Sequence, residues 1–417
     1  MRSILFYIPH ELGGVPLFGF GLLLALLVAA FFVWGSYCLA SGKKELLWDP
    51  LPMFGIAGLV VVFLLPAVES KFGDGTPIGL PIRGYGILVL SGLLAGIGIS
   101  IRRGRQLGLD ADTIMGLGFW MMVTGVAGAR AFYVVQKWDE FQSIGQIFQV
   151  TEGGLVIYGG VIGGLFACAW YCYRKGLKLS ATGDLVAPGF LIGLSFGRIG
   201  CLLHGCCFGG VCTADLPSIR FPHGSIPFQS QIVDGTLLGL KTEKGSIPGK
   251  IISVQADSPA DREGVLVGQR LESINLMPVE KSSDENPATP SDIYAEITVE
   301  GSRIAFLPAA LGPASLPTQP SQIYSSINAL LLCVLVWCLQ PVPLRDGETL
   351  CFAVSTYAAS RFVLEWVRSD EVGQLGTSFT ISQLVSLGMI VLVLSLWAWL
   401  RTRPAGRSWD WLAGQAS

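Results

Sequence analysis

Apolar residues in this chain are grouped into long blocks, and this grouping restricts the folds that the chain can adopt. One block reads FGFGLLLALLVAAFFVWGSYCLA, which as a helix is long enough to cross the roughly 30 Å hydrocarbon core of a bilayer. Only 14% of the 417 residues are charged, against about a quarter in soluble domains. This first block is too long for a signal-peptide core, so we expect it to be retained as a helix. The sequence predicts an all-α, polytopic membrane protein.

Nine blocks are candidate membrane-spanning helices. They lie at about 15–40, 52–69, 84–101, 113–135, 154–173, 184–203, 323–341, 349–367 and 380–400. Basic residues gather in alternate connecting loops, which by the positive-inside rule face the cytoplasm. These basic residues are Lys43, Lys44, Arg102, Arg103, Arg105, Arg174, Lys175, Lys178, Arg345, Arg401, Arg403 and Arg407. We therefore expect the N-terminus and the long 204–322 segment outside, and the C-terminus in the cytoplasm.

The segment 230–310 differs in kind from the apolar blocks. Polar stretches such as ADSPADREG and EKSSDENPATPSD alternate with strand-like runs such as GKIISVQ and QRLESIN. This pattern predicts a small β-rich domain outside the membrane, large enough for a modest core. The run IISVQADSPADREGVLVGQRLESIN resembles a PDZ domain, a fold that binds a peptide as an added strand at a sheet edge. A spacer or stability module stays an open alternative, because GTLLGLKTEKG does not clearly form a carboxylate-binding loop.

Several arginines occur in or near apolar spans, namely Arg130, Arg198, Arg361 and Arg368. An arginine at the centre of a membrane costs about 2.5–3.5 kcal/mol on insertion scales and normally faces a polar cavity. Glu365 shares a helical face with Arg361 and Arg368 through i,i+4 and i,i+3 spacing. An internal salt bridge or snorkelling is the alternative interpretation. Several arginines with so few acids favour a bound anion, and guanidinium groups fit phosphate oxygens.

The stretch GRIGCLLHGCCFGG (residues 197–210) combines an arginine, a histidine, three cysteines and five glycines. A structural zinc site needs four ligands in orderly spacing, and the adjacent Cys206 and Cys207 lack a second ligand pair, so we expect no metal. A redox pair more often reads C-x-x-C. A disulfide from Cys206 or Cys207 to Cys212 stays open in an oxidising compartment. We favour an anion-binding turn, in which Arg198 holds the ligand and the glycines expose backbone N–H groups.

In order, spacing and orientation, these motifs resemble the prolipoprotein diacylglyceryl transferase family of bacterial inner-membrane enzymes. The matching runs are IRGYGILVLSG, GARAFYV, GGLVIYGGVIGG, DLVAPGFLIGLSFGRIGCLLHGCCFGG, PTQPSQIYSS, YAASRFVLEWVRSDE and ISQLVSL. The resemblance covers the seven spans of about 82–400 and leaves out the first two spans and the PDZ-like insert. It implies two extra N-terminal helices (1–80), a transferase core in two parts (81–229 and 311–417) and a periplasmic insert (230–310).

The resemblance also implies a reaction, the first step of lipoprotein maturation. Such enzymes move the diacylglyceryl group of phosphatidylglycerol to a lipobox cysteine thiol, forming a thioether and releasing glycerol phosphate. Arg198 would bind the lipid phosphate, Arg361 would stabilise the departing phosphate, and Glu365 would orient Arg361. The resemblance places further substrate-binding residues at Tyr85, Arg130, Gly159, Gly160, Gly200, Gly205, Gly209 and Arg368.

The general base is the least determined role. Tyr158 stands where many family members have histidine and others tyrosine, and its reference pKa of about 10 makes it a poor base at neutral pH. Deprotonation of the substrate thiol would then depend on His204 or on the positive field of the arginines. For Gly160 and Gly164, plain helix packing is the favoured alternative to a ligand role.

The expected partners are phosphatidylglycerol, a prolipoprotein signal peptide with its lipobox cysteine, and a peptide or protein at the PDZ-like insert. No cofactor is expected, since fixed guanidinium groups can stabilise the leaving phosphate without a metal. The net charge of −2 gives no reason to expect nucleic acid. Two other function classes stay open: an anion transporter, although no paired halves are visible, and a lipid-binding receptor whose insert captures peptides. The sequence leaves undetermined the acyl-chain preference, the oligomeric state and the role of the two extra helices.

Overall fold

A computed structural model of the chain describes residues 4–42, 50–71, 75–141, 144–147, 154–212, 217–243, 247–278, 293–342, 345–368 and 377–409. The α-helices are α1 (Leu22–Ala40), α2 (Leu51–Leu59), α3 (Leu65–Val68), α4 (Gly84–Gln106), α5 (Ala111–Gln136), α6 (Ile144–Ile147), α7 (Ile157–Lys175), α8 (Leu179–His204), α9 (Ile226–Val233), α10 (Pro259–Arg262), α11 (Pro308–Leu311), α12 (Ser321–Leu339), α13 (Glu348–Leu364) and α14 (Ile381–Arg401). The strands are β1 (Ile4–Pro9), β2 (Glu11–Leu12), β3 (Val15–Pro16), β4 (Ser70–Lys71), β5 (Pro77–Arg83), β6 (Leu240–Thr242), β7 (Gly249–Val254), β8 (Arg270–Pro278), β9 (Ile293–Val299) and β10 (Ser302–Phe306). Lys43, Lys44 and the polar run EKSSDENPATPSD lie outside the described residues.

Within the described ranges, six helices are long and apolar enough to cross a membrane: α1, α4, α5, α8, α12 and α14. The chain is therefore a multi-pass membrane protein. The other three predicted spans are also helical, but each falls short of that standard. The apolar run Met53–Val68 is shorter and includes a π-helical turn at Val60–Leu64, α13 has 17 residues, and α7 has 19 residues but is less apolar.

The chain divides into two compact units. One comprises residues 85–240 and 312–417, together with Met1, and the other comprises residues 2–84 and 241–311. The start of the expected insert, residues 230–240, belongs to the first unit. Its apolar side chains explain this placement, because Ile232 and Leu238 are completely buried there, and buried apolar groups stay with the core that covers them.

Glycine-rich contacts hold the helices of the first unit together. A Cβ added at Gly159 of α7 would lie 2.3 Å from the carbonyl oxygen of Gly128 on α5. A Cβ at Gly96 of α4 would likewise lie 2.5 Å from the carbonyl oxygen of Gly189 on α8. Because lipid tails are as apolar as the side chains, helices in a bilayer associate through such close packing rather than through hydrophobic burial.

A polar cluster fixes the first turns of α8 to the C-terminal part of the chain. The carboxylate of Asp184 is fully buried and accepts hydrogen bonds from the backbone N–H groups of Gly347 (2.7 Å) and Leu350 (2.8 Å). The guanidinium of Arg407 lies 3.6 Å from the same carboxylate. Gln340 donates to the carbonyl oxygen of Asp184 at 2.7 Å. This cluster sets the position of α8, whose other end carries the candidate site.

The second unit contains two main sheets. Strands β10, β9, β8, β7 and β6 lie side by side in that order, and β1, β5 and β4 form a smaller sheet. Residues of β9 alternate strictly between buried and partly exposed positions, which gives the sheet one core face. Its pairings with β8 and β10 are antiparallel, with Ile297 opposite Ile274 and Ile304. The described part of the polar segment after residue 240 is thus mainly β-strand.

Candidate active site

The glycine and cysteine turn follows directly from the way in which α8 ends. Gly205 is in the left-handed conformation (φ 84°) at the C-terminus of the helix. The N–H groups of Gly205 and Cys206 both donate to the carbonyl oxygen of Cys201, at 2.8 and 3.1 Å. Glycine is favoured at such a position because it has no Cβ to clash. The turn therefore leaves α8 immediately beyond His204.

The turn is held by segments that are distant in sequence. Gly209 donates its N–H to the carbonyl oxygen of Gln319 at 3.0 Å, and a Cβ at Gly209 would lie 2.6 Å from the same oxygen. The hydroxyl of Ser321 donates to the carbonyl oxygen of Cys207 at 2.6 Å. These contacts hold the turn against the segment that begins α12. Glycine is required at Gly209 because the turn approaches the backbone of that segment closely.

A buried carboxylate organises two of the arginines. Glu365 is 2% exposed and forms ion pairs with Arg361 and, at 3.7 Å, with Arg368. Its second oxygen accepts a hydrogen bond from the hydroxyl of Thr380 at 3.2 Å. Arg361 in turn donates to the hydroxyl of Ser382 at 3.1 Å. The end of α13 and the start of α14 therefore fix the guanidinium of Arg361 from two sides.

Arg198 approaches this pair from α8. The charges of Arg198 and Arg368 both act on Arg361, and Tyr357 lies beside both Arg198 and Arg361. Two guanidinium groups thus pair with one carboxylate, and a third, from a separate helix, lies close enough for its charge to act on Arg361. The excess positive charge in a largely buried place suits an anion that brings several oxygen acceptors.

Tyr85 and His204 border the same region. Their ring centroids lie 6.2 Å apart, and Tyr85 is close enough to Arg198 for their charges to interact. A Cβ at Gly200 would lie 2.9 Å from the ring of Tyr85. Gly200 therefore allows the tyrosine of α4 to pack against α8. Both rings remain accessible, since Tyr85 is 44% exposed and His204 is also exposed.

The predicted residues on α7 have a different setting. Tyr158 is 43% exposed in the first turn of α7. Gly159 and Gly160 both face α5, where a Cβ would lie 2.3 Å and 3.5 Å from carbonyl oxygens of Gly128 and Gly125. The space that these two glycines leave is thus taken by a neighbouring helix. Their contribution is to bring the start of α7 close to α5.

Arg130 binds the chain that follows its own helix. Its guanidinium donates to the backbone carbonyl oxygens of Gln146 (2.7 Å), Ile147 (2.8 Å) and Gly154 (3.1 Å). It also lies 5.3 Å from the ring centroid of Tyr133. These bonds fix the connection between α5 and α7, a role that its position in an apolar block does not reveal.

Three cysteine thiols meet beside the arginines. The sulfur atoms of Cys201, Cys206 and Cys207 all lie within 4.8 Å of one another, and all ten cysteines are free thiols in the structure. Hydrogen bonds from the Cys201 and Cys206 thiols, and then the charges of Arg198 and Arg368, lower the pKa of Cys207. Sequence spacing alone did not indicate this cluster, because the helix end brings Cys201 back to the adjacent pair.

Four residues of the site were not singled out from the sequence: Tyr357, Thr380, Ser382 and Ser321. Each is a polar residue in or beside an apolar run, which is the available signal, since buried polar groups need partners. That signal does not say which partner each one meets.

Comparisons with known proteins agree with the motifs. The family model described as prolipoprotein diacylglyceryl transferase matches residues 76–399. A phosphatidylglycerol–prolipoprotein diacylglyceryl transferase of Rhodopirellula baltica is 32% identical over 435 residues, covering 94% of this chain and 87% of that protein. A phosphatidylglycerol–prolipoprotein diacylglyceryl transferase 2 of Clostridium perfringens is 25% identical and covers 76% of this chain and 92% of that protein.

Proposed function

The chain belongs to the prolipoprotein diacylglyceryl transferase family, and on this premise we propose how its residues carry out the reaction. It is a transferase that takes the diacylglyceryl group from phosphatidylglycerol and attaches it to the lipobox cysteine thiol of a prolipoprotein. The observation that carries the assignment of the site is that Arg361 and Arg368 pair with one buried carboxylate while the charge of Arg198 acts on Arg361.

The chemistry requires a stabilised leaving group. The substrate thiolate attacks the glycerol carbon that bears the phosphate ester, forming a C–S bond while the C–O bond breaks. Glycerol phosphate leaves with the electron pair, and the thiol proton passes to a base. Arg198 binds the phosphate of the lipid, and Arg361 stabilises the charge that develops on the departing phosphate. Fixed cationic donors in a water-poor site do this without reorganising.

The remaining residues position these groups. Glu365, which accepts a hydrogen bond from Thr380, and Ser382, which accepts one from Arg361, hold Arg361 in one orientation. Arg368 adds positive charge on the same carboxylate. Tyr85 borders the lipid site beside Arg198, and Arg130 supports the site through the connection between α5 and α7. The glycines shape it through the contacts they permit: Gly159 and Gly160 toward α5, Gly200 toward Tyr85, and Gly205 and Gly209 in the turn.

His204 is the general base in this proposal. It ends α8, the helix that also carries Arg198, and its exposed ring is beside Tyr85. A neutral imidazole has one ring nitrogen free to accept a proton, whereas the hydroxyl of a neutral tyrosine is a poor proton acceptor. Tyr158 then binds or orients the substrate rather than removing its proton.

The membrane arrangement is also part of the proposal. Nine spans, with the N-terminus and the insert in the periplasm and the C-terminus in the cytoplasm of the bacterial inner membrane, agree with the basic last turns of α4, α7 and α14. The site at the opposite end of α8 would then open to the outer leaflet. The β-rich insert is PDZ-like and holds a peptide or protein partner. Regions 1–80, 81–229 and 311–417 keep the roles expected from the sequence, and the insert expected at 230–310 begins near residue 241 instead.

A transfer assay tests the assignment. Purified full-length protein is mixed with phosphatidylglycerol vesicles and a lipobox peptide, and thioether product is measured by mass spectrometry. We expect Arg198→Ala and Arg361→Ala each to lower the rate by about 100-fold or more, because each removes a fixed donor to the developing charge. Arg303→Ala is the matched control, since its side chain is 77% exposed on the sheet of the second unit.

The outcomes separate the function classes. Unchanged product from Arg198→Ala and Arg361→Ala would show that the site lies elsewhere. No product from the wild-type protein, combined with anion flux in sealed vesicles, would favour a transporter. Peptide capture without transfer would favour a receptor.

A further inference from the structure

The cluster of Cys201, Cys206 and Cys207 has no part in the transfer chemistry. Its three sulfur atoms lie within 4.8 Å of one another, and each residue is partly exposed rather than buried. Structural cysteines that act only as small apolar groups are usually among the most buried residues. Cys38, Cys168, Cys172, Cys333 and Cys351 fit that description, and the three clustered residues do not.

The backbone brings these thiols together and holds them. Cys207 has a positive φ of 59°, a conformation uncommon for any residue other than glycine and one that persists only where surrounding contacts impose it. Those contacts are present: Ser321 donates to the carbonyl oxygen of Cys207 and Gln322 to that of Cys206, at 2.6 and 2.8 Å. The cluster is therefore a fixed arrangement and not a chance approach of flexible side chains.

We propose that Cys201, Cys206 and Cys207 form a binding site for a soft, thiophilic cation of the d10 class, such as Zn²⁺, Cd²⁺ or Cu⁺. Thiolates select such cations. A Zn–S bond of about 2.3 Å places the sulfurs of a tetrahedral site about 3.8 Å apart. Sulfurs within 4.8 Å thus need to close by at most about 1 Å.

The charges near the cluster suit this ligand. Binding a divalent cation converts three thiols and one M²⁺ into an M(SR)₃ unit of charge −1 and releases three protons. A monovalent cation gives charge −2. Arg198 and Arg368 both act on Cys207, so the excess anionic charge of either unit would be stabilised by guanidinium groups already in place.

A consequence for the reaction depends on the proposed function. An anionic metal–thiolate unit beside Arg198 would attract the guanidinium that otherwise binds the lipid phosphate. Occupation of the cluster should therefore inhibit the transfer reaction.

Cadmium titration tests the site without any reference to activity. The full-length protein in detergent, kept reduced with a phosphine under an inert atmosphere, is titrated with Cd²⁺ while thiolate-to-cadmium charge-transfer absorption is recorded. We expect one saturable site per chain. Cys201→Ser, Cys206→Ser and Cys207→Ser should each weaken binding by at least about 100-fold, since even loss of an outer partner of a metal site costs 10–100-fold.

Two matched controls define the site. Cys212→Ser removes the next cysteine along the chain, and Cys172→Ser removes one of a thiol pair inside α7; both should keep the high-affinity absorption. Wild-type protein alkylated with N-ethylmaleimide after folding should lose the high-affinity absorption. This measurement replaces the result from any serine variant that fails to fold. Equal affinity in wild type and all three serine variants would overturn the proposal. So would recovery of two cluster residues as a disulfide from protein prepared without reductant.

The inhibition is measured separately, as the ratio of transfer rates with and without Cd²⁺ for each variant. We expect inhibition in the wild type and in Cys212→Ser, and a ratio near one in the cluster variants at the same Cd²⁺ and peptide concentrations. If Cd²⁺ binds but does not inhibit transfer, the proposed inhibition is wrong and the proposed metal site still stands. An inactive wild-type protein that still binds Cd²⁺ would count against the proposed function and not against the site.

Discussion

At the residue scale, Glu365 connects three other side chains of the candidate site. It lies between Arg361, Arg368 and Thr380. Removing one partner of a buried ion pair typically costs about 3–5 kcal/mol, because the other charge is left uncompensated. We expect Glu365→Gln to lower the melting temperature in detergent and to reduce the transfer rate, since Arg361 loses its orientation.

Glu296→Gln is the control for this change. Glu296 pairs with Arg303 at 3.6 Å, where the arginine side chain is 77% exposed, and exposed pairs contribute about 1 kcal/mol or less. Its melting temperature and rate should stay close to those of the wild type. A Glu365→Gln protein as stable and active as Glu296→Gln would show that the buried carboxylate does not organise the site.

The general base gives a second prediction at this scale. We expect His204→Gln to reduce kcat and to remove the acidic limb of the pH–rate profile, because the side chain that accepts the thiol proton is gone. Tyr158→Phe should mainly affect KM and keep that limb. If Tyr158→Phe removes the acidic limb and His204→Gln keeps it, Tyr158 is the base.

At the scale of elements, small residues determine which helices can approach. Gly159 and Gly98 are both helical glycines, but a Cβ at Gly159 meets the α5 backbone at 2.3 Å whereas a Cβ at Gly98 meets nothing within 4 Å. Overpacking costs about 1–3 kcal/mol, while alanine in open helix positions stabilises by up to about 1 kcal/mol. We therefore expect Gly159→Ala to lower the unfolding temperature and the transfer rate.

Gly98→Ala should leave both quantities unchanged or slightly raised, as measured by thermal unfolding and by the transfer assay. If both alanine variants behave alike, the contact between α5 and α7 is not a close glycine contact.

The helix α8 connects two polar clusters that the sequence alone does not relate. Asp184 near its start accepts hydrogen bonds from Gly347 and Leu350, and Arg198 near its end is close enough for its charge to act on Arg361. Fourteen residues separate Asp184 from Arg198, or about 21 Å along a helix. The first cluster therefore fixes the axis along which Arg198 is presented to the second.

At the scale of the whole molecule, the β-rich insert is the feature with the least direct link to the reaction. We expect replacement of residues 243–309 by a short Gly-Ser linker to leave transfer to a lipobox peptide intact and to slow transfer to full-length prolipoproteins. The deletion spares Ile232 and Leu238, which are buried in the helical unit. The measurement is the ratio of the two transfer rates.

Arg303→Ala is the control, because it changes the surface of the insert without removing the insert. The ratio of its transfer rates to the peptide and to the full-length prolipoprotein should equal the wild-type ratio. An unchanged ratio in the deletion variant would rule out a recruiting role for the insert. Loss of both reactions would mean that the helical unit requires the insert.

Much of the fold is encoded locally and was readable from the sequence. Apolar blocks predict membrane helices because each block must bury its own length in hydrocarbon, and six of the predicted segments are helices long and apolar enough to cross a membrane within the residues described. The polar run after residue 240 predicts strands by its alternation. The motifs around Arg198 and Arg361 identified the family, which the comparisons confirm.

The partners of individual side chains were decided only by the tertiary structure. Hydropathy places Arg130 and Arg361 alike in apolar runs, yet one binds backbone carbonyls and the other a buried carboxylate. Spacing argued against a metal, yet the end of α8 brings Cys201 to within 4.8 Å of the adjacent cysteine pair. Contacts between residues far apart in sequence depend on how helices cross, and a pattern within one helix does not contain that information.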